Sequence, residues 1–239
     1  MELLAELTPR RTLEKTVGAA RELSRYADAI DVPDAPLGLP APSSPIISAL
    51  IRNLLSPPPE VVAHVRLLDL SELGAVNVAQ ALEVAGVSRL VLLRGDRPAL
   101  GDPCDKEPER VLASVRSIGL RIRLGLLLSL SKPFSEVMRR LSAGADFYFV
   151  TRPWRSGLLR TVSSEARRRG ARTYVYLVVE TPRNAHLLPS IPPEEKLSEG
   201  SVREAVSSLE EAVDGVIISS PGDREVLLRS LREAREAIG

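Results

Sequence analysis

The stretch Arg89-Leu90-Val91-Leu92-Leu93-Arg94-Gly95-Asp96 decides the fold. A short, nearly continuous apolar run such as the one that follows Arg89 is typical of a strand buried on both faces, as in a parallel sheet. The run ends abruptly in two opposite charges around a glycine, and glycine is typical of the turn that follows a strand. The stretch therefore predicts a parallel strand that leaves the core at Arg94.

The same order of strand and helix recurs about eight times along the chain. Apolar runs of strand character alternate with longer amphipathic segments. The predicted strands cover residues 3–7, 27–32, 61–68, 89–93, 122–128, 146–151, 173–179 and 215–218. The predicted helices cover residues 12–26, 45–55, 71–86, 107–118, 134–143, 156–169, 202–212 and 222–238. Strands that alternate with helices pair in parallel through right-handed crossovers.

Eight such units predict an α/β protein with a single (β/α)8 TIM barrel over residues 1–239, since that fold takes about 250 residues. An open, doubly wound sheet is the alternative. No predicted strand is followed by the G-x-G-x-x-G turn of dinucleotide-binding open sheets, which favours the barrel.

Composition narrows the function classes. A formal net charge of +1 argues against a nucleic-acid or acidic membrane partner. The start of the chain has no signal-peptide pattern, and no apolar run is long enough to span a membrane, so we expect a cytoplasmic protein. The lone Cys104 excludes an internal disulfide, and His64 and His186 show no metal-ligand spacing. Only four of the 32 basic residues are lysines, and with few amides this is typical of hot environments.

The carboxyl ends of barrel strands converge on one mouth, where active sites are built. The charged and polar residues expected there are Glu6, Asp31, Asp34, His64, Arg66, Asp69, Arg94, Asp96, Arg152, Trp154, Glu180, Ser219, Ser220 and Asp223. Their accumulation predicts a site, because burying ionisable groups is costly unless they are paired or useful. Each also has a structural interpretation, as a salt-bridged carboxylate, a core histidine or, for residues 219–222, a helix cap instead of a phosphate cradle.

Several of these stretches resemble motifs of the methylenetetrahydrofolate reductase family. They are Glu6-Leu7-Thr8-Pro9-Arg10, His64-Val65-Arg66-Leu67-Leu68-Asp69, Leu93-Arg94-Gly95-Asp96 with Gly101-Asp102, residues 143–151 and residues 183–194. The matches fall in order over nearly the whole chain. Members of that family are (β/α)8 barrels that use FAD.

The resemblance implies a flavin-dependent reductase that converts a methylene-tetrahydropterin, such as 5,10-methylenetetrahydrofolate, to the methyl form with a nicotinamide as reductant. Glu6 would be the general acid, which requires a raised pKa, and Asp96 would lie at the pterin and the flavin. The cofactor-binding residues would be His64, Arg94 and Asp69, and the substrate-binding residues Arg152, Asp34 and Glu180.

The chain departs from the family pattern in several places, and two of them bear on binding. Arg152 replaces a substrate-binding glutamine, and the strand beginning Gly125-Leu126-Leu127-Leu128 has no aromatic residue. Two other functions stay open. One is a diverged paralogue without flavin that binds a pterin or a second subunit. The other is a lyase or transferase of a phosphorylated metabolite, with an anion site at residues 220–223. The chain could also form a homo-oligomer.

Overall fold

Nine strands and eight α-helices alternate in this computed structural model, which describes all residues 1–239. The strands are β1 Glu2–Glu6, β2 Ala29–Val32, β3 Glu60–Arg66, β4 Arg89–Leu93, β5 Arg123–Leu128, β6 Phe147–Val150, β7 Arg172–Val179, β8 Lys196–Leu197 and β9 Gly215–Ser219. The helices are α1 Leu13–Leu23, α2 Ser44–Leu54, α3 Glu72–Val84, α4 Pro108–Ser117, α5 Phe134–Leu141, α6 Leu158–Arg168, α7 Val202–Leu209 and α8 Arg224–Ile238.

Eight of the strands close into a parallel ring. Each strand from β1 to β6 pairs with the strand that follows it in the sequence, and β9 closes the ring by pairing with both β7 and β1. All of these pairings are parallel, as helical crossovers require. The prediction of a single (β/α)8 TIM barrel is therefore confirmed, and the open sheet is excluded by the pairing of β1 with β9.

The ninth strand, β8, was not predicted. It has only two residues, and it pairs with Val178 and Val179 at the end of β7. The neighbouring strand β6 ends opposite Val175, so the last residues of β7 have no partner from β6 on that edge. Buried backbone groups need hydrogen bonds, and β8 supplies them from the long loop that follows β7.

Local signals in the sequence set where helices begin. The side chains of Thr12, Ser71 and Asp223 each accept a hydrogen bond from a backbone N–H in the first turn of the helix that follows. Such caps satisfy N–H groups that have no partner within the helix. Ser71, the first residue of the helix predicted at residues 71–86, is the cap of α3. None of the helices combines the length and the apolar content that crossing a membrane requires.

The interior of the barrel is packed with side chains. One layer is formed by Leu4, Ala29, Val62, Val91, Phe147, Phe149, Tyr174 and Ile217. Two large rings of this layer lie beside glycines on neighbouring strands. A Cβ atom on Gly125 would come within 2.2 Å of the Phe147 ring, and one on Gly215 within 2.6 Å of the Tyr174 ring. Because Gly125 and Gly215 have no side chain, the strands leave room at these two positions for the aromatic rings.

The amino-terminal end of the ring is filled by ion pairs. Arg89 is buried, and its guanidinium lies 2.6 Å from Glu2 and 3.1 Å from Glu60. The Tyr174 hydroxyl donates to Glu2 at 2.7 Å. Protein side chains therefore fill both this end and the centre of the ring.

Candidate active site at the mouth of the barrel

A polar cluster lies at the carboxyl end of the ring. Its members are Glu6 on β1, Asp31 on β2, His64 on β3, Tyr176 on β7 and Ser219 on β9. Each lies two residues beyond a member of the apolar layer on the same strand. Because side chains alternate between the two faces of a strand, the cluster forms the next inward-facing level of the barrel.

Asp31 is the centre of the cluster. It is completely buried, its Oδ1 lies 2.7 Å from His64 Nε2, and its Oδ2 accepts a hydrogen bond from the Tyr176 hydroxyl at 2.5 Å. Burial by itself would lower the pKa of His64. The charge of Asp31 and its hydrogen bond, followed by the charges of Glu6 and Asp34, raise that pKa above the ordinary 6.5. His64 and Asp31 therefore form a buried hydrogen-bonded pair in which Asp31 favours the protonated form of the imidazole.

Glu6 is the member of the cluster that is able to exchange a proton near neutral pH. It is partly exposed at the mouth, and Ser219 Oγ donates to its Oε1 at 2.7 Å. Loss of hydration and then the negative charge of Asp31 raise the pKa of Glu6 to about 7, against the lowering effects of Ser219 and His64. A carboxyl with this pKa serves as acid or base at neutral pH.

Tyr176 acts only as a donor. Burial, followed by the charges of Asp31 and Glu6, raises the pKa of Tyr176 well above its ordinary 10. Its hydroxyl therefore keeps its proton and continues to donate to Asp31. The ring packs edge-on against Phe149, with 5.7 Å between centroids.

Arg66 holds three loops of the mouth together. Its side chain is buried, and its guanidinium donates to Asp69 Oδ2 at 2.8 Å, to the Ala35 carbonyl at 2.7 Å and to the Asp96 carbonyl at 2.8 Å. Gly95 has φ of +87°, and a Cβ atom there would lie 3.2 Å from the Arg66 side chain. The stretch Arg94-Gly95-Asp96 is thus a loop packed on Arg66.

Two of the residues to which the resemblance assigned a role, Glu6 and His64, meet in the cluster. Asp34 lies near them, since its charge contributes to the raised pKa of His64. The Asp34 carboxylate accepts hydrogen bonds from the backbone N–H groups of Ser44 at 3.2 Å and Arg66 at 3.1 Å. It is therefore already engaged in holding the backbone at the ends of two elements.

The other predicted residues are engaged at the rim. Arg94 is exposed and pairs with Asp105 at 2.6 Å, Asp69 is exposed and pairs with Arg66, and the Asp96 side chain is exposed. The Arg152 guanidinium donates to the Ser190 carbonyl at 2.9 Å, and Glu180 pairs with Lys196 at 2.5 Å. These contacts tie the loops to one another.

Tyr176 was not predicted as a member of the site, because this residue lies inside β7 and not at the end of the strand. The alternation of inward-facing residues along β7, where Tyr174 is followed by Tyr176, is the signal that could have indicated it. Asp31 and Ser219 were among the expected mouth residues. Asp31 meets His64 across the neighbouring strands β2 and β3, whereas Ser219 reaches Glu6 only because the ring closes between β9 and β1.

The turn at residues 219–222 leads into α8, whose cap is Asp223. Asp223 Oδ1 accepts from the Val226 N–H at 3.3 Å, and its Oδ2 accepts from the Thr181 hydroxyl at 3.1 Å. Ser220 Oγ accepts from Asn184 at 3.1 Å. A carboxylate thus occupies the helix end that would attract a phosphate, and its charge would repel one. An anion at residues 220–223 would therefore meet the carboxylate of Asp223.

No family model matches the chain, and no curated protein matches its sequence. Among solved structures it is similar to 3-hexulose-6-phosphate synthase from Salmonella typhimurium, with a TM-score of 0.61, 17% identity and coverage of 100% of this chain and 98% of that one. For KGPDC from Streptococcus mutans the values are 0.59, 16%, 99% and 98%. For tryptophan synthase from Mycobacterium tuberculosis they are 0.65, 14%, 99% and 92%. At these low sequence identities, the likeness shows that this chain shares the fold of these proteins.

The inference drawn from the resemblance to methylenetetrahydrofolate reductases is wrong. Neither a family model nor a curated sequence supports it, and the similar structures reported above are a sugar-phosphate synthase, KGPDC and tryptophan synthase. The flavin-dependent reductase, its FAD and nicotinamide, the pterin substrate and the pterin-binding paralogue are withdrawn with it. In the structure this motif is a turn packed on Arg66, with Gly95 against the Arg66 side chain and the backbone carbonyl of Asp96 accepting a hydrogen bond from it.

Proposed function

We propose that this chain is an acid–base enzyme, a lyase or synthase that acts on a small phosphorylated carbohydrate. The observation that carries the proposal is the Glu6 carboxyl, whose pKa of about 7 at the mouth of the barrel suits it to proton transfer at neutral pH. Making or breaking a carbon–carbon bond beside a carbonyl group requires such a transfer. Glu6 would take a proton from the substrate and return one.

The rest of the cluster would act through Glu6. The negative charge of Asp31 raises the pKa of Glu6, and the positive charge of His64 limits that increase. Ser219 donates to Oε1 and fixes the orientation of the carboxyl. Asp31, His64, Tyr176 and Ser219 are therefore positioning residues in this proposal, and Glu6 is the catalytic one.

Two further observations support the substrate class. The cluster lies at the end of the barrel where the active sites of this fold are found. A similar solved structure, 3-hexulose-6-phosphate synthase, is named for a sugar phosphate. The interior below the cluster is packed with aromatic rings, which leaves the mouth for a substrate of modest size.

Proton exchange with solvent tests the proposal. The protein is incubated in D2O with a panel of triose to hexose phosphates, and loss of the proton next to the carbonyl group is followed by 1H NMR. We expect exchange in at least one compound, slowed by a factor of about 10² or more in Glu6→Gln. The matched control, Glu194→Gln, changes an exposed carboxylate of the loop after β7 and should exchange like wild type.

Two results would overturn the proposal. Equal exchange in wild type and Glu6→Gln would remove Glu6 from catalysis. The absence of exchange and turnover with every sugar phosphate of the panel would remove the substrate class.

A further inference from the structure

We infer that the groove between α1 and α8 binds the phosphate group of the substrate. The inference rests on the proposed function and names the part of the molecule that holds the charged end. The groove has a volume of about 560 Å³, and only one of its nine lining residues is hydrophobic. Its charged lining residues are Arg10, Lys15, Glu22, Arg183, Arg224 and Glu225. Four basic and two acidic side chains leave an excess of two positive charges, which matches a phosphate dianion.

Arg10 and Lys15 enter the groove from the start of α1. The backbone of Arg10 is fixed by the buried Thr16, whose Oγ1 accepts from the Arg10 N–H at 2.9 Å. Both basic side chains are exposed, and neither forms an ion pair. They therefore have free donors for an anion.

The remaining basic residues come from the opposite wall. Arg183 Nη1 lies 3.9 Å from Asp223 and 3.7 Å from Glu225, which is longer than a hydrogen bond. The Arg183 guanidinium thus keeps donors for a ligand. Arg224 is paired with Glu22 across the groove, so this pair holds the two helices together and Arg10, Lys15 and Arg183 face the anion.

The groove adjoins the strand end that carries Glu6. A small cavity between the ends of β1 and β9 is lined by Glu6, Arg10, Ser220 and Arg224, and it shares Arg10 and Arg224 with the groove. A molecule with its phosphate in the groove would extend toward the strand end that carries Glu6. The position is therefore suited to the charged end of a substrate of Glu6.

The other large cleft has the wrong chemistry for a phosphate. It lies between α2 and α3, has a volume of about 540 Å³, and nine of its fifteen lining residues are hydrophobic. The amino-terminal end of α8 is occupied by the carboxylate of Asp223. Side-chain cations, and not a helix end, supply the positive charge in the groove.

Phosphate titration of the full chain tests the inference. Binding of inorganic phosphate to wild type, Arg10→Gln, Lys15→Gln and Arg183→Gln is measured by calorimetry, with a thermal melt of each variant to show that it is folded. We expect each of the three variants to bind about 5- to 10-fold more weakly, since a charge-assisted hydrogen bond is lost. Lys15→Arg should retain binding. The control is Lys132→Gln, which removes a lysine from a separate small cavity near α5 and should bind like wild type.

The outcomes separate the inference from the proposed function. Equal weakening in Lys132→Gln, or unchanged binding in all three groove variants, would overturn the groove as the phosphate site. If wild type exchanges protons of a sugar phosphate and the groove variants leave its KM unchanged, the inference fails and the proposed function stands. If phosphate binding depends on the groove but no sugar phosphate exchanges protons, the inference about the anion stands and the proposed function fails.

Discussion

At the scale of single residues, the chemistry of the mouth depends on how burial and neighbouring charges set the pKa of the Glu6 carboxyl. Glu6 would be an ordinary surface acid without the loss of hydration and the nearby Asp31, which together raise its pKa to about 7. His64 and Ser219 act in the opposite direction and keep that pKa within the neutral range. Both protonation states of Glu6 are therefore populated where an acid–base catalyst needs them.

The raised pKa of Glu6 predicts how Glu6→Gln changes stability with pH. Between about 4.5 and about 7 the folded chain holds a proton that the unfolded chain has lost, so the stability of wild type falls as the pH rises through this window. Glutamine does not titrate and still accepts the hydrogen bond from Ser219. We expect Glu6→Gln to melt about 2–4 °C above wild type near pH 8, which corresponds to roughly 1 kcal/mol.

The measurement is a series of thermal melts of both proteins from about pH 4 to about pH 8. The difference should disappear toward the acidic end, where Glu6 is protonated and uncharged. The magnitude is smaller than the full pKa shift would give, because the carboxyl is partly exposed to water. Parallel curves for the two proteins over the whole range would contradict the assignment, and Glu194→Gln is expected to show such parallel behaviour.

At the scale of elements, strands and helices follow the local pattern closely. The strand predicted at residues 89–93 has the bounds of β4, and the helix predicted at residues 107–118 contains α4. The short strand β8 was not predicted, because a segment of two residues is too short to show a periodic pattern of apolar residues. It is a strand only because the free edge of β7 lies beside it.

The contact between β5 and β6 predicts a cost for Gly125→Ala. A Cβ atom at this position would lie 2.2 Å from the Phe147 ring, so the ring or the strand must move. We expect a loss of about 1–3 kcal/mol in the free energy of unfolding, as is typical of overpacked cores. Urea titration of the variant checks the value, and adding Phe147→Leu to Gly125→Ala should recover part of the loss.

Gly18→Ala is the control for that substitution. A Cβ atom on Gly18, within α1, meets no atom within 4 Å. The alanine should therefore stabilise the helix by about 0.5–1 kcal/mol. A Gly125→Ala variant as stable as wild type would show that the interior accommodates a side chain there.

At the scale of the whole molecule, the ring makes every strand dependent on the others. The chain closes on itself where β1 pairs with β9, so its first and last strands are neighbours. An incomplete set of strands would leave unpaired edges and an open apolar face. The barrel is therefore expected to form as one unit.

We predict that residues 1–239 unfold in a single cooperative transition. The measurement is differential scanning calorimetry, and the calorimetric and van't Hoff enthalpies should agree. Two resolved transitions, or a calorimetric enthalpy well above the van't Hoff value, would show that part of the barrel unfolds independently.

The sequence by itself determined the order of strands and helices and, through it, the barrel. Alternation of apolar and amphipathic segments is a local property, because each element is set by the periodicity and the capping residues within it. The position of Glu6 at the end of a strand followed from the same pattern.

Only the tertiary structure decided which polar residues form a site. Glu6 and Ser219 are 213 residues apart in the chain and share a hydrogen bond because the ring closes between β1 and β9. The pairing of β1 with β2 and of β2 with β3 places Asp31 and His64 beside Glu6, and their charges act on its pKa in opposite directions. Asp96, equally prominent in the sequence, lies with its side chain in solvent, because its loop is held on Arg66. Charge interactions depend on distance and hydration in three dimensions, and neither is encoded in the spacing of residues along a chain.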